Sequence, residues 1–366
     1  MKAPVRLLII GTGGMAANHA ENFRKIEGVT LAAGIDTRPE QLTAFCATHG
    51  LPRGFASVAD ALAWGEFDAA TNVTPDAAHY ATTMPVLAAG KHILCEKPLA
   101  TSEAQAEDMA AAAARARVVN MVNLSYRNVA ALQQAARMVQ AGAIGEVRHF
   151  EASYLQSWLT QPAWGHWDRE SKWLWRLSTA HGSKGVLGDV GIHILDFATF
   201  IAGQPVAEIS ARLATFHKAP GDQIGEYLLD ANDSATMQLQ LANGALGTVS
   251  ATRFATGHLN DLRLRIYGTQ GGLEVQWERN ISTLRACLAP DMETATWTEI
   301  DCPVPPTIYE RFIAAIRGEG AAEPDFARGA MLQKMLDRAE QSSARGGLSL
   351  AIQGGVDPCQ GGQSRF

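Results

Sequence analysis

The chain has 366 residues, 19% charged and 47% hydrophobic, with a formal net charge of −6. That length holds two domains with full cores, and the composition is globular rather than disordered. The acidic balance argues against nucleic acid as a main partner. The five cysteines (Cys46, Cys95, Cys287, Cys302, Cys359) are scattered, with no C-x-x-C pair. They read as free thiols of a reducing compartment. No stretch is long enough to span a membrane and no targeting segment is read, so a cytoplasmic location is expected.

Val5–Ile10 reads as a buried parallel strand running into Gly11-Thr12-Gly13-Gly14-Met15-Ala16, a G-x-G-x-x-A turn before the helix Met15–Ile26. Gly11 would make the tight turn, Gly13 would let the backbone approach a pyrophosphate, and Ala16 would permit close helix–strand packing. The helix N-terminus with Gly14 and Met15 offers free N–H groups to phosphates. A second strand, Val29–Ile35, ends at Asp36, 23 residues after Gly13, where a carboxylate can accept bonds from the adenosine ribose hydroxyls. Asp36 with Thr37 favours NAD, since a 2′-phosphate would meet like charge. Arg38 keeps NADP as the alternative, because a guanidinium can pair with that phosphate. The plainer reading of Asp36 is a turn residue.

Helix Arg38–His49, strand Phe55–Ser57, helix Val58–Trp64 and strand Phe67–Val73 follow. The last ends in Thr74-Pro75-Asp76, with His79 on the next helix, which runs to Gly90. Strand His92–Cys95 ends in Glu96-Lys97-Pro98; helix Ser102–Arg115, capped by Thr101 or Ser102, leads to strand Val118–Val122 and Asn123. This alternation predicts an α/β fold opening with a doubly wound parallel sheet, a dinucleotide-binding domain over 1–123. Helix Tyr126–Gln140, strand Val147–Leu155, a Trp-rich loop 158–176 and helix Gly188–Phe200 come next. Then alternating runs at Val206–Phe216, Ser234–Leu241, Leu246–Phe254, Leu262–Tyr267 and Gly272–Trp277, with Asn243-Gly244 as a hairpin signal, predict a large, mostly antiparallel sheet. Helices are expected at Tyr309–Arg317 and Arg328–Ser343. Residues 124–350 are thus expected to form a second α/β domain. The tail, 351–366, is expected to be disordered.

The glycine turn, Thr74-Pro75 with His79, Glu96-Lys97-Pro98, and Gly188-Asp189-Val190-Gly191-Ile192-His193 together resemble the Gfo/Idh/MocA oxidoreductases over about residues 5–345. The resemblance implies a Rossmann domain and a C-terminal α/β domain whose open sheet forms a homodimer or homotetramer. It also implies NAD(P)-dependent oxidation of a secondary alcohol on a sugar or cyclitol. It assigns catalysis to Lys97, Asp189 and His193, and cofactor contacts to Thr74, Pro75, His79, Glu96, Lys97, Asn123 and the aromatic–Arg pair Trp175-Arg176. Asp76 departs from the family, many of whose members have Asn there.

The chemistry fits on its own terms. Oxidising a carbinol needs a base for the hydroxyl proton while hydride leaves carbon. Asp189 and His193 are four apart and share a helix face. Histidine titrates near 6.5 and lysine near 10.4, which favours His193 as base with Lys97 stabilising the alkoxide. Without the resemblance, such a pair is more often a surface or capping pair. Tyr126, Arg127, Tyr154, Trp164 and Arg176 are candidate substrate contacts, since aromatic faces and polar edges suit a sugar ring. The alternative for the tryptophans is packing. A metal is not expected: His166, Asp168 and His181 lack metal-type spacing. Two rival readings remain: redox-neutral use of bound NAD for epimerisation, elimination or glycoside cleavage, and a non-enzymatic dinucleotide sensor. No membrane partner is expected.

Overall fold

The computed structural model describes residues 3–352. Its elements run β1 (Val5–Ile10), α1 (Gly14–Arg24), β2 (Val29–Ile35), α2 (Pro39–His49), β3 (Gly54–Phe55), α3 (Val58–Trp64), β4 (Ala69–Asn72), α4 (His79–Ala88), β5 (His92–Cys95), α5 (Glu103–Ala116) and β6 (Asn120–Val122). They continue with α6 (Ala130–Gln140), β7 (Val147–Leu155), α7 (Ser171–Leu174), α8 (Ile192–Ala202), β8 (Val206–Ala214), β9 (Gln223–Ile224), β10 (Tyr227–Leu228), β11 (Ser234–Leu241) and β12 (Leu246–Thr252). The last are β13 (Asp261–Gly268), β14 (Gly271–Glu278), β15 (Ile281–Leu288), β16 (Thr298–Glu299), α9 (Ile308–Ile316), α10 (Phe326–Ala344) and β17 (Leu350–Ala351). Two compact units emerge. The first reaches Ser125 and takes in Pro306–Gln333; the second holds Tyr126–Pro305 and the chain from Lys334.

In the first unit six parallel strands lie in the order β3-β2-β1-β4-β5-β6. Leu7, Leu8, Ile9 and Ile10 are all buried, as a strand covered on both faces requires. Ser57 caps α3 by accepting from Asp60 N, and Ser102 caps α5 by accepting from Gln105 N. The order reverses between β1 and β4, the crevice where such sheets take dinucleotides. Thr307 and Glu310 close a capping box on α9, and Ile308, Phe312 and Ile313 pack with Leu7, Phe23, Leu94 and Met121. Residues 306–333 therefore group with the first unit, not with the 124–350 block expected from sequence. The apolar face of α9 is legible in its periodicity, but periodicity does not say which core that face will cover.

The second unit is built on a nine-stranded sheet, β16-β15-β14-β13-β7-β12-β11-β8-β17. Every neighbouring pair is antiparallel except β7 and β12. α6 and α8 pack against it. On β11, Ala235, Met237, Leu239 and Leu241 point inward while Thr236, Gln238 and Gln240 face out, the period-2 pattern of a half-buried strand. Gly244 turns the β11–β12 hairpin at φ +84°.

Three features differ from expectation. β15 was not read from sequence, because Ile281 is 68% exposed while Leu284 and Ala286 carry the buried face. The Trp-rich loop contains the short helix α7. The expected disorder of 351–366 begins too early: Leu350 and Ala351 pair with Ile209 and Glu208, and Ile352 is buried. Residues 353–366 lie outside the described residues.

Candidate active site

In the first unit, Gly11 sits at φ +89°, and a Cβ there would lie 2.9 Å from the Val73 carbonyl oxygen. Only glycine makes this turn without strain. Cβ atoms on Gly13 and Gly14 would meet nothing within 4 Å. α1 starts at Gly14 with no side-chain cap and no acidic residue in its first turn, leaving its N-terminal field available to an anion; Met15 is exposed.

Asp36 is buried at the end of β2. Its Oδ2 accepts from Thr12 N (2.9 Å) and Oγ1 (2.7 Å), and its Oδ1 accepts from Arg38 N and Nε, both at 3.0 Å. Burial opposes ionisation, but the bonds from Arg38 and Thr12 hold the carboxyl well below the usual carboxylate range. A 2′-phosphate would meet this fixed anion, while Arg38, with 63% of its side chain exposed, covers the same carboxylate. Thr37 is exposed beside them. The residues present thus fit a dinucleotide at the glycine turn and Asp36.

The remaining first-unit candidates form an internal scaffold. Thr74 donates through N and Oγ1 to Asn72 Oδ1, shaping the turn at Pro75. His79 is fully buried, with Nδ1 2.8 Å from the Pro98 carbonyl and Nε2 2.9 Å from the Thr74 carbonyl. Carbonyls only accept, so both ring nitrogens carry hydrogen. Burial works against that charge, but Cys95, Asp76 and the Pro98 carbonyl outweigh it and raise His79 to about 10. His79 therefore clamps the two loops through the Pro98 and Thr74 carbonyls, its ring nitrogens both taken up by the protein.

Glu96 and Asn123 are also turned inward. Glu96 Oε1 accepts from Asn123 Nδ2 (2.6 Å) and lies 2.8 Å from His19 Nε2, whose Nδ1 meets Thr71 Oγ1 at 2.7 Å. Burial opposes the charge on Glu96, yet His19, Lys97 and Asn123 lower its value to about 2. His19 was missed by sequence reading; its only signal is a lone histidine on the buried face of α1. Lys97 follows β5, half-buried, its N–H donating to Glu96 Oε2 at 3.2 Å.

In the second unit Asp189 lies in a π turn, Leu187–Gly191, that feeds α8, with His193 on the first turn of α8. Gly188 allows the turn, since a Cβ would fall 2.4 Å from Lys184 Cβ. Such turns are frequent at functional sites. His193 is buried, with the Tyr126 ring edge-on at 4.9 Å and the Tyr154 ring at 6.5 Å. Trp277 packs edge-on to Tyr126 at 5.0 Å. The Tyr126 and Tyr154 hydroxyls are hydrogen-bonded to each other, and Tyr154 donates to Asn260 Oδ1 at 2.8 Å. Burial pushes Tyr126 up to about 12 and Tyr154 well above its ordinary value, so both stay protonated at neutral pH.

The Asp189 carboxylate faces two guanidiniums: Arg253 Nη2 at 3.2 Å and Arg176 Nε at 3.9 Å. The Arg176 guanidinium lies over the Trp175 ring at 4.5 Å. Trp164 packs edge-on to Trp173 in an apolar cluster with Trp158 and Leu177, which favours the packing reading over a sugar contact. Arg127 is taken up by an internal ion pair. It is buried, with Nε and Nη2 bonded to Asp196 at 2.6 and 2.8 Å, so it ties the start of α6 to α8. Arg253, Asn260 and Trp277 were not singled out from sequence, although Arg253 falls on the inward parity of β12.

His258, Asp261 and Glu278 bring ligand atoms within 4.8 Å of one another. Asp261, however, is already bonded to Arg263 Nη2 (2.8 Å) and His258 Nδ1 (2.7 Å), which is the pattern of an ion-pair cluster.

Residues 5–124 match the oxidoreductase family with an NAD-binding Rossmann fold, and residues 132–274 match the GFO/IDH/MocA C-terminal domain. The chain belongs to the Gfo/Idh/MocA family. It is thus a member of a family of NAD-binding oxidoreductases. Among Gfo/Idh/MocA proteins it is 31% identical over 232 residues to a levoglucosan dehydrogenase of Pseudarthrobacter phenanthrenivorans, covering 60% of this chain and 57% of that enzyme. It is 27% identical to a D-apiose dehydrogenase of Rhizobium rhizogenes, over 73% of this chain and 72% of that one. The crystal structure of an oxidoreductase domain protein from Kribbella flavida matches with a TM-score of 0.85 and 32% identity, covering 97% of this chain and 100% of that one.

Proposed function

We propose that the protein oxidises a ring secondary alcohol of a sugar, sugar derivative or inositol, using NAD. The observation that carries the reading is the second unit's buried His193, set among Tyr126, Tyr154 and the doubly paired Asp189. Relatives named as levoglucosan and D-apiose dehydrogenases support the substrate class. Gly11, Gly13, Gly14, Met15, Asp36, Thr74 and Pro75 would hold the dinucleotide, which when bound accepts a hydride at C4 of the nicotinamide.

This chain's own residues supply the rest. His193 takes the hydroxyl proton, its imidazole serving as the general base. Lys97, as a cation, stabilises the alkoxide that forms as the proton leaves. Tyr126 and Tyr154 remain neutral and so act as hydrogen-bonding groups rather than bases. Asp189, held by two arginines, serves as a fixed anionic acceptor for a substrate hydroxyl. The reading also includes a cytoplasmic homodimer or homotetramer, formed through the open face of the nine-stranded sheet.

The test is a panel of inositols, aldoses and anhydrosugars, incubated with NAD and separately with NADP while absorbance of reduced cofactor is followed. A steady rise with NAD on one polyol, abolished by His193→Asn and by Lys97→Ala, supports the proposal. Flat traces from protein that retains bound dinucleotide would favour redox-neutral chemistry instead.

A further inference from the structure

Arg253 follows the last residue of β12 and is fully buried. A buried guanidinium is expensive unless its donors are met. Nη2 reaches Asp189 Oδ2 at 3.2 Å, and Nη1 donates to the Arg176 carbonyl at 3.1 Å. The plane lies over the Trp158 ring at 4.9 Å, and the backbone N–H of Arg253 bonds to the Asp233 carbonyl. Nε finds no acceptor among the described residues. This is costly to retain where an apolar residue would fill the same space.

Asp189, by contrast, keeps 29% of its side chain accessible. Its carboxylate therefore meets buried charge on one side and reaches solvent on another. Groups that act on it include Arg253 after β12, Arg176 in the turn after α7, Tyr126 ahead of α6 and Tyr154 on β7, and His193 follows four residues along its own chain. Behind Arg253 lies Asp233, itself paired with Lys218 at 2.6 Å.

We propose that Arg253 is a positioning residue that holds Asp189 ionised and in one orientation, so that its carboxylate acts as a fixed hydrogen-bond acceptor rather than as a proton carrier for His193. The proposal rests on the catalytic reading above for its consequence, but not for the pairing itself. Bonds from a guanidinium favour the charged form of a carboxyl. The half-buried Arg176 stands at the longer distance, 3.9 Å, so the nearer of the two guanidiniums is that of Arg253. Arg253 also bonds the carbonyl of Arg176, so the two arginines approach the carboxylate as one unit.

The test uses the full-length protein with NAD bound. Aspartate side-chain carboxyls are labelled with carbon-13, and the Asp189 resonance is assigned by its loss in Asp189→Asn. In the wild type that resonance should stay in its ionised position until strongly acid pH, and in Arg253→Met it should titrate at clearly higher pH. Arg253→Lys should fall between, since an ammonium keeps the charge but not the fork. With an alcohol substrate in hand, Arg253→Met should lower kcat/KM by about tenfold or more and move the acid limb of its pH profile upward, and adding Asp189→Asn should cost little further.

An unchanged Asp189 titration in Arg253→Met overturns the proposal. So does additive loss in the double variant. If Arg253→Met does not fold, the titration in Arg253→Lys decides: a raised midpoint supports the proposal and an unmoved one overturns it. The resonance is read without turnover, so failure of the alcohol-oxidation reading would leave this result distinguishable.

Discussion

Arg127 and Asp196 offer a quantitative test of how the second unit is held together. Both side chains are almost fully buried, at 5% and 4% exposure, with two bonds of 2.6 and 2.8 Å, and the guanidinium lies 3.4 Å over the Phe200 ring. Arg127→Met removes one charge and strands the other where water cannot solvate it, a loss of roughly 3–5 kcal/mol. Arg127→Met with Asp196→Leu removes both charges, and the doubly apolar pair should recover most of that loss. Urea unfolding followed by tryptophan fluorescence and far-ultraviolet circular dichroism measures each variant. At a temperature where Arg127→Met is still folded, the KM for the alcohol should stay close to that of the wild type. A loss below about 1 kcal/mol, the scale of an exposed pair, would refute the burial argument. A double variant as unstable as the sum of its parts would refute the pairing.

Other outcomes follow from the same geometry. Asp36→Ala leaves the Thr12 N–H and Arg38 without their acceptor, so NAD affinity should fall by about tenfold or more; isothermal titration with NAD and NADP would read this directly. Glu96, held near 2 in place of 4.5, contributes stability that is complete above its ordinary value and lost as pH falls through about 2. His79, raised to about 10 from 6.5, works with the opposite sign: its contribution is complete below 6.5 and lost as pH rises through about 10. Melting temperature against pH should therefore fall at both extremes. Glu96→Gln should flatten the acid limb and His79→Phe the alkaline one, and parallel curves for wild type and variants would count against both assignments.

Much of the Rossmann unit was legible because its signals are local. Leu7–Ile10 is apolar on both faces, Gly11 takes a backbone conformation other residues avoid, and Ser102 sits where a helix needs a cap. The hairpin at Asn243-Gly244 was legible for the same reason. What escaped depends on partners far away in sequence. His19 means little until Glu96, 77 residues later, is placed beside it. Arg127, read as a substrate contact from its place after a strand, is claimed by Asp196, 69 residues on. Arg253 looks like one polar residue in an alternating run until its side chain is found inward, against Asp189. The spacing of Asp189 and His193 was visible, but the π turn and the two arginines that take up the carboxylate were not.

In the proposed reaction, hydride leaves a carbinol carbon of a ring and reaches NAD. The measurement that tests it most directly is transfer from a sugar or cyclitol carrying deuterium at that carbon. Proton NMR of the reduced cofactor should show deuterium at C4 on one face of the nicotinamide, in amounts equal to the ketone formed, and His193→Asn should form neither. Reduced cofactor without deuterium, or turnover of the sugar with deuterium returned to the product and no net reduction, would rule that transfer out.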